Sequence, residues 1–468
     1  MQETAKQKPR AVLLGVQLAG VADAEFQSSQ GELARLAKTL GFEVVARLSQ
    51  RRARLAPGAV VGEGKLRELA RHTGGSGEIP VGPPGARRRG AAAEDEDEAD
   101  ARDGAEPGDA GRSEEDAADS EALPAEQRAT IVLVNHDLTP SQARNLERAT
   151  GVEVMDRSAV ILAIFQRHAR SREARLQVEI ARLHYIAPRL RELGTGRDRQ
   201  GGGIGGRGAG ESASELDRRK VRDRIAELRS ELASIEREAG TRRKRRSEQA
   251  TAALVGYTNA GKSSWMRALT GSGVLVEDKL FATLDTTVRA LHPETHPRIL
   301  VSDTVGFIRN LPHDLVASFR STLDEARDCD LLVHLVDASD PGFAAQVEVT
   351  LAVLREIGAD AHPRLVVLNK ADRLDAAARE HLAREWPEAL VLSVRSPDDV
   401  AALRERILAF FERDAVEEEL LVPYAKQRVV SEAHASCRVL AETHGAEGTR
   451  LRLRAPPEVL ARLRSALR

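Results

Sequence analysis

Cysteine is nearly missing from this 468-residue chain: the two thiols, Cys329 and Cys437, stand far apart and in no metal-ligand spacing. Neither a disulfide framework nor a zinc site is indicated. Aromatic residues make up only 3% of the chain, too few for base-stacking platforms to be the main contact with nucleic acid. Any RNA contact therefore has to lean on arginine and phosphate. No run of about 18 apolar residues is present to cross a bilayer, and residues 1–10 are polar, without the apolar core of a secretion signal. The expected address is the cytoplasm. Net charge is also nearly absent, at -2, but the balance hides segregation. Acidic residues crowd 94–121 and Arg/Lys residues crowd 197–246, so the average says little about partners.

The length allows several domains, and the most informative stretch of it is Gly256-Tyr257-Thr258-Asn259-Ala260-Gly261-Lys262-Ser263. This is a phosphate-binding loop in G-x-x-x-x-G-K-S form. Its glycines let successive N–H groups turn toward the β- and γ-phosphates, and a helix starting near Lys262 aims its positive end at the same anion. Lys262 adds a point charge, and the Ser263 hydroxyl can ligate Mg²⁺. The apolar run at 249–255 reads as the strand that the motif requires before it.

Three further segments follow in the order of a guanine-nucleotide pocket. Asp303-Thr304-Val305-Gly306 ends an apolar strand, placing a carboxylate beside Mg²⁺ through water and the Gly306 N–H near the γ-phosphate. Asn369-Lys370-Ala371-Asp372 ends another. There Asp372 can accept from the N1–H and N2–H₂ edge of guanine, whereas adenine would leave it unpaired. Asn369 is expected to bridge neighbouring loops and the Lys370 stem to lie along the base. Ser393-Val394-Arg395 is expected to add backbone N–H contacts to the base. Between the phosphate loop and Asp303, Phe281-Ala282-Thr283-Leu284-Asp285-Thr286-Thr287 occupies the γ-phosphate sensor's place. Thr283 is the candidate second Mg²⁺ hydroxyl, with Thr286 and Thr287 as rivals. Lys262, Thr283 and the Gly306 N–H are the candidate catalytic groups. After Gly306 stands Phe307, whose ring cannot orient an attacking water as a glutamine does in many GTPases. Slow hydrolysis in isolation, stimulated by a partner, is the expectation.

The fold class read from these patterns is α/β. A doubly wound P-loop GTPase domain (248–413) is preceded by a small α/β N-terminal domain (1–166) and a helical hairpin (167–247), and followed by a small α+β domain (414–468). In the first, strands are expected at 11–16 and 42–46, with a helix at 31–40 between them. Val60-Val61-Gly62-Glu63-Gly64-Lys65 opens another helix, either as a tight strand-to-helix turn or as a phosphate contact. From about 73 to 128 large apolar residues almost vanish, and the composition predicts a disordered acidic insertion. Thr139 with Pro140 reads as a helix cap. Leu176, Ile180, Leu183, Ala187 and Leu190, then Val221, Ile225, Leu228, Leu232 and Ile235, repeat at four and three residues. They predict two antiparallel helices, the first kinked or ended near Pro188. The Gly-rich connection 201–210 and its flanking Arg197, Arg199, Arg207, Arg218 and Arg219, with the cluster 242–246, form a basic tip suited to folded RNA. After 419 a short strand, a helix over 429–442, a strand at 449–454 and a final helix from 457 are expected.

Together with Asp137-Leu138-Thr139-Pro140-Ser141-Gln142-Ala143-Arg144-Asn145-Leu146-Glu147, Asp156-Arg157-Ser158, Leu176-Gln177-Val178-Glu179, Asp-Thr-Val-Gly-Phe at 303–307 and the Gly-Gly-Ile-Gly connection, the ordered motifs closely resemble the HflX family of ribosome-associated GTPases. The resemblance covers almost the whole chain outside the acidic insertion. It implies GTP as substrate, GDP as product, Mg²⁺ as cofactor, and the large (50S) ribosomal subunit and its rRNA as partner. The hairpin tip would reach toward the peptidyl transferase region, stalled ribosomes would be split, and hydrolysis would be stimulated by the large subunit. A monomer in the cytoplasm, with ribosome-bound or peripheral fractions, is expected. The alternative is a nucleotide-gated RNA-binding or ribosome-assembly factor whose turnover is incidental; Phe307 keeps it open.

Overall fold

The computed structural model describes residues 8–79, 123–194, 213–246, 249–273, 280–281, 287–309 and 320–467. It divides into two compact units, Met1–Val160 and Ile161–Arg468.

In the first unit β1 (Arg10–Leu18), α1 (Asp23–Thr39), β2 (Glu43–Arg52), α2 (Glu63–Thr73), β3 (Ile131–Val134), α3 (Pro140–Thr150) and β4 (Glu153–Asp156) follow one another, and α4 (Arg157–His168) begins. The strands form a parallel sheet in the order β2-β1-β3-β4. Successive residues Ala11, Val12, Leu13 and Leu14 are all buried, as a sheet covered on both faces demands. Val12, Leu14, Val132 and Val134 pack with Leu66 and Leu69 of α2 and Leu146 of α3. Thr139 caps α3 with a reciprocal capping box to Gln142, Pro140 starts the helix, and Gly151 closes it at φ 69°, the left-handed end that glycine adopts freely. α1 starts earlier and β2 ends later than the apolar pattern indicates. β2 pairs with β1 along its whole length, so the ladder extends through Arg51 and Arg52, residues with no apolar signal of their own.

The second unit holds the rest of α4, then α5 (Arg172–Gly194) and α6 (Ala213–Arg246). Leu176, Ile180 and Leu228 form their seam, flanked by Leu183, Leu232 and Ile235. The pairs Arg172–Glu231 and Arg224–Glu179 fix the antiparallel sense. α5 is not broken at Pro188. Proline forfeits one hydrogen bond, but the apolar seam grips the helix on its N-terminal side and carries it past. The connection 201–210 with Arg197, Arg199 and Arg207, and residues 80–122 of the acidic stretch, lie outside the described residues.

Next come β5 (Ala250–Gly256), α7 (Lys262–Thr270), β6 (Thr287–Ala290), β7 (Ile299–Asp303), α8 (Arg320–Arg327), β8 (Leu331–Asp337), α9 (Phe343–Glu356), β9 (Arg364–Asn369), α10 (Ala376–Glu385), β10 (Leu390–Val391) and α11 (Pro397–Phe411). The sheet order is β10-β9-β8-β5-β7-β6, parallel except for β6. Leu254, Val333 and Leu335 pack with Trp265 and Leu403 on one face. Ala253, Val255 and Leu332 pack with Phe307 and Leu354 on the other. This is the doubly wound arrangement, with its loops gathered at the strands' carboxyl ends.

The tail contains β11 (Val416–Val422), α12 (Gln427–Ser436), β12 (Arg438–Gly445), β13 (Gly448–Ala455) and α13 (Pro457–Leu467). Its antiparallel sheet runs β11-β13-β12. The expected helix over 429–442 stops at Ser436, and the remainder is β12. Cys437 turns extended and fully buried, and a hairpin through Gly448 (φ 152°) then pairs β12 with β13, which a local helical pattern could not disclose.

Candidate nucleotide pocket

β5 delivers the chain to Gly256, and α7 starts at Lys262. The intervening turn needs two of its glycines for different reasons. A side chain at Gly256 would stand 2.1 Å from the Leu335 carbonyl of the neighbouring strand, and Gly261 has φ 100° with Asn369 Nδ2 2.3 Å from where a Cβ would lie. The backbone can therefore curl tightly around whatever the loop holds.

Lys262 is buried, 6% exposed, and its ammonium donates to the Gly256 and Tyr257 carbonyls at 3.0 and 2.9 Å. Burial lowers its pKa to about 8, opposed by the Asp303 charge. A desolvated ammonium held by neutral carbonyls is poised for an anion, and a polyphosphate fits that demand. Beside it, Ser263 Oγ donates to Asp303 Oδ2 at 2.8 Å, so the loop hydroxyl and the strand-end carboxylate predicted to serve Mg²⁺ do converge. Among the described residues no group of three or more His, Cys, Asp or Glu could hold a metal by itself. The fit is thus to an ion that takes its remaining oxygens from phosphate and water.

Thr304 donates its hydroxyl to the Leu254 carbonyl at 2.7 Å, which ties the loop to β5, and Val305 is buried. Gly306 closes over the lysine: a Cβ there would lie 2.8 Å from Thr258 Cγ2 and 3.0 Å from Lys262 Nζ. Phe307 is buried in the core, and its carbonyl and N–H bond Thr258 and Gly256. Tyr257, buried as well, accepts the Arg309 N–H on its hydroxyl at 2.8 Å. Tyr257 therefore clamps the loop after β7 to the phosphate loop, a role its position in the motif does not reveal. Asn259 (φ 62°) is exposed and Ala260 buried.

At the other end, Asn369 is buried and donates Nδ2 to the Ala260 carbonyl at 2.7 Å, bridging the loops as its position implies. Lys370 takes a left-handed conformation (φ 65°) and reaches Asp337 Oδ2 at 2.6 Å. Asp337, at the end of β8, also accepts from the Ser339 N–H and hydroxyl; sequence reasoning missed it because Asp at a strand end carries no motif. The Ala371 N–H bonds the Leu392 carbonyl. Asp372 accepts from Ser393 Oγ at 2.7 Å and Arg395 at 3.2 Å. The Ser393 hydroxyl first, then its own backbone N–H and the Arg395 charge, hold its carboxyl below the usual range against the opposing effect of burial. The expected trio of backbone donors at 393–395 needs correction. The Ser393 N–H is committed to Asp399 Oδ2 and the Arg395 N–H to Ser393 Oγ. Val394 alone of the three keeps an N–H without a partner among the described residues.

Ala282, Thr283, Leu284, Asp285 and Thr286 lie outside the described residues. Phe281 is placed, but as a core residue: it is buried and its ring meets Phe165. Thr287 opens β6 opposite Asp303. Cys329, with burial pushing its thiol up to about 12, and Cys437 are buried.

Three family models match the chain in order: "GTP-binding GTPase N-terminal" over 27–77 and 112–166, "GTP-binding GTPase Middle Region" over 168–246, and "50S ribosome-binding GTPase" over 251–370. GTPase HflX of Gluconacetobacter diazotrophicus is 54% identical over 99% of both chains. The chain belongs to the HflX family of GTPases. GTPase HflX of Caldanaerobacter subterraneus is 35% identical over 99% of this chain and 95% of its own. Among solved structures, a GTP-binding protein from Sulfolobus solfataricus in complex with GDP aligns with 85% of this chain and 97% of its own, at 22% identity and a TM-score of 0.41. As an HflX GTPase the chain binds GTP and hydrolyses it to GDP and phosphate. No helix among the described residues is long and apolar enough to cross a membrane.

Proposed function

We propose that this HflX GTPase binds the large ribosomal subunit in its GTP state, splits stalled ribosomes, and leaves when hydrolysis removes the γ-phosphate. The observation that carries the reading is the dehydrated Lys262 ammonium beside the Ser263–Asp303 pair. It is a charge cluster built for a polyphosphate, in a chain whose GTPase segment matches a 50S ribosome-binding description.

In this reading Lys262 and the loop N–H groups hold the β- and γ-phosphates, and Asp372 selects guanine. Ser263, with Thr283, would hold Mg²⁺, with the Asp303 carboxylate that pairs with Ser263 beside them. When bound, the ion would supply positive charge to offset that on the transferring phosphoryl group. Lys262 and the Gly306 N–H stabilise the same developing charge without reorganising. Phe307 faces the core, so the side chain after Gly306 orients no water. Attack therefore waits on a group outside this position, which makes hydrolysis dependent on the ribosome. The basic hairpin tip meets rRNA phosphates, and the protein works in the cytoplasm as a monomer.

Single-turnover GTP hydrolysis with and without purified large subunits tests this. Stimulation by about 10²-fold or more, the range that a supplied catalytic group confers, is expected. The buried Phe307 favours one second reading, a nucleotide-gated RNA-binding or assembly factor with incidental turnover. Unstimulated hydrolysis alongside GTP-dependent RNA binding would select it.

A further inference from the structure

Thr258 stands in the phosphate loop with only 6% of its surface exposed, and its hydroxyl has no hydrogen-bond partner among the described residues. A buried hydroxyl left unpaired is destabilising, so its retention calls for a chemical reason. Its neighbours supply one. A Cβ built on Gly306 would lie 2.8 Å from Thr258 Cγ2, 2.9 Å from Thr258 Cα and 3.0 Å from Lys262 Nζ. The threonine, whose hydroxyl shares a carbon with that methyl, thus crowds one spot with the Gly306 backbone and the ammonium. Backbone bonds hold the spot together. The Thr258 N–H donates to the Phe307 carbonyl at 2.7 Å and the Phe307 N–H to the Gly256 carbonyl at 3.2 Å. Lys262 donates to the Gly256 and Tyr257 carbonyls, Tyr257 takes the Arg309 N–H on its hydroxyl, and Phe307 is anchored in the core. Thr258 and Gly306 therefore keep one relative position. The hydroxyl, the ammonium and the Gly306 N–H, which bonds no backbone carbonyl among the described residues, are all donors. An acceptor-only ligand satisfies all three, and an anionic phosphoryl oxygen is one.

We propose that Thr258 is a further catalytic residue of the GTPase, its hydroxyl donating to a γ-phosphoryl oxygen beside the Gly306 N–H and Lys262. The proposal rests on the reading of Lys262 and Gly306 as γ-phosphate groups. In hydrolysis a water oxygen bonds to the γ-phosphorus while the bond to the β,γ-bridging oxygen breaks. That oxygen keeps the electron pair on GDP, and the water's protons leave with the phosphate. Negative charge spreads over the γ-phosphoryl oxygens on the way, and a donor already in place bonds them more tightly than in bound GTP. GDP has no γ-phosphoryl oxygen. The hydroxyl therefore separates triphosphate from diphosphate as well as transition state from substrate.

GTP hydrolysis by the isolated full chain tests it. Thr258→Val keeps the branched shape and removes the hydroxyl; kcat/KM for GTP should fall about 10- to 10²-fold, the worth of one hydrogen bond to a charged acceptor. GDP affinity, read from a fluorescent analogue, should be preserved. Thr258→Ser keeps the hydroxyl and should restore most of the lost rate. The melting temperature of the nucleotide-free Val variant should not fall, because the methyl replaces an unpaired group rather than a bond. A lowered melting temperature with GTP and GDP binding weakened alike would make Thr258 structural and overturn the proposal, as would a wild-type rate in the Val variant. Lys262→Ala, measured in parallel, separates the two levels. If it loses GTP while the Val variant hydrolyses normally, the role of Thr258 alone falls. If it keeps its GTP affinity, the phosphate reading falls as well.

Discussion

Lys262 carries its charge where water is largely excluded, and that has a pH signature. The unfolded chain keeps the lysine proton up to its ordinary value of 10.5, whereas the folded pocket releases it near 8. Between those values the unfolded state binds more protons, so raising pH through this window favours the folded, nucleotide-free protein. A bound polyphosphate pulls the pKa back up. GTP affinity should therefore fall as pH rises above about 8, and binding near pH 8–9 should take up protons. Calorimetry in buffers of different ionisation enthalpy measures the uptake; a zero count would contradict the assignment of Lys262 to the phosphates. Asp372→Asn keeps the Ser393 bond but loses the charged acceptor. Guanine preference over adenine in competition binding should drop about 10²- to 10⁴-fold. His334, buried on β8 with no hydrogen-bond partner for either ring nitrogen among the described residues, has its pKa depressed to about 3, first by burial and then by the Arg364 and Lys262 charges. Its contribution to stability is present above about 6.5 and is lost as pH falls toward 3, at about 1.4 kcal/mol per pH unit in that window. His334→Leu should flatten this part of the acid denaturation curve, and an unchanged curve would show that other groups govern it.

At the level of elements, local signals were legible where one segment satisfies itself. Thr139 with Pro140 signals the start of α3, which the structure bears out; the reciprocal bond of Gln142 and the left-handed Gly151 at its other end are what the structure adds. The hairpin seam was legible through its repeat of four and three. Leu228→Ala removes a fully buried side chain of that seam and should cost about 2–5 kcal/mol in local stability, measured by hydrogen exchange in α5 and α6. Exchange unchanged in both helices would mean that the seam does not hold them together. β12 and the length of β2 were not legible. Both owe their form to ladder hydrogen bonds with partners elsewhere in the chain; β12 lacks the alternation that marks a half-buried strand, and β2 has no apolar residue after Leu48 to carry it on.

Across the whole molecule, the near-neutral total conceals an acidic block at 94–121 and a basic block at 197–246. If the basic block meets RNA, its binding is governed by counterion release. Replacing Arg197, Arg199 and Arg207 together should weaken ribosome association and reduce the slope of log affinity against log salt by about 2, read by pelleting across a salt series. An unaltered slope would remove these arginines from the contact.

The candidate residues of the nucleotide pocket could be named from sequence alone, because Gly256–Ser263, Asp303 and Asp372 each stand in short, fixed motif spacings. Which groups support those residues was decided only by the tertiary structure. Tyr257 clamping the loop after β7, Asp337 receiving Lys370, Asp399 claiming the Ser393 N–H, and Phe165 seated against Phe281 join segments separated in the chain. Such partnerships follow from how strands and helices stack, and no local pattern encodes them.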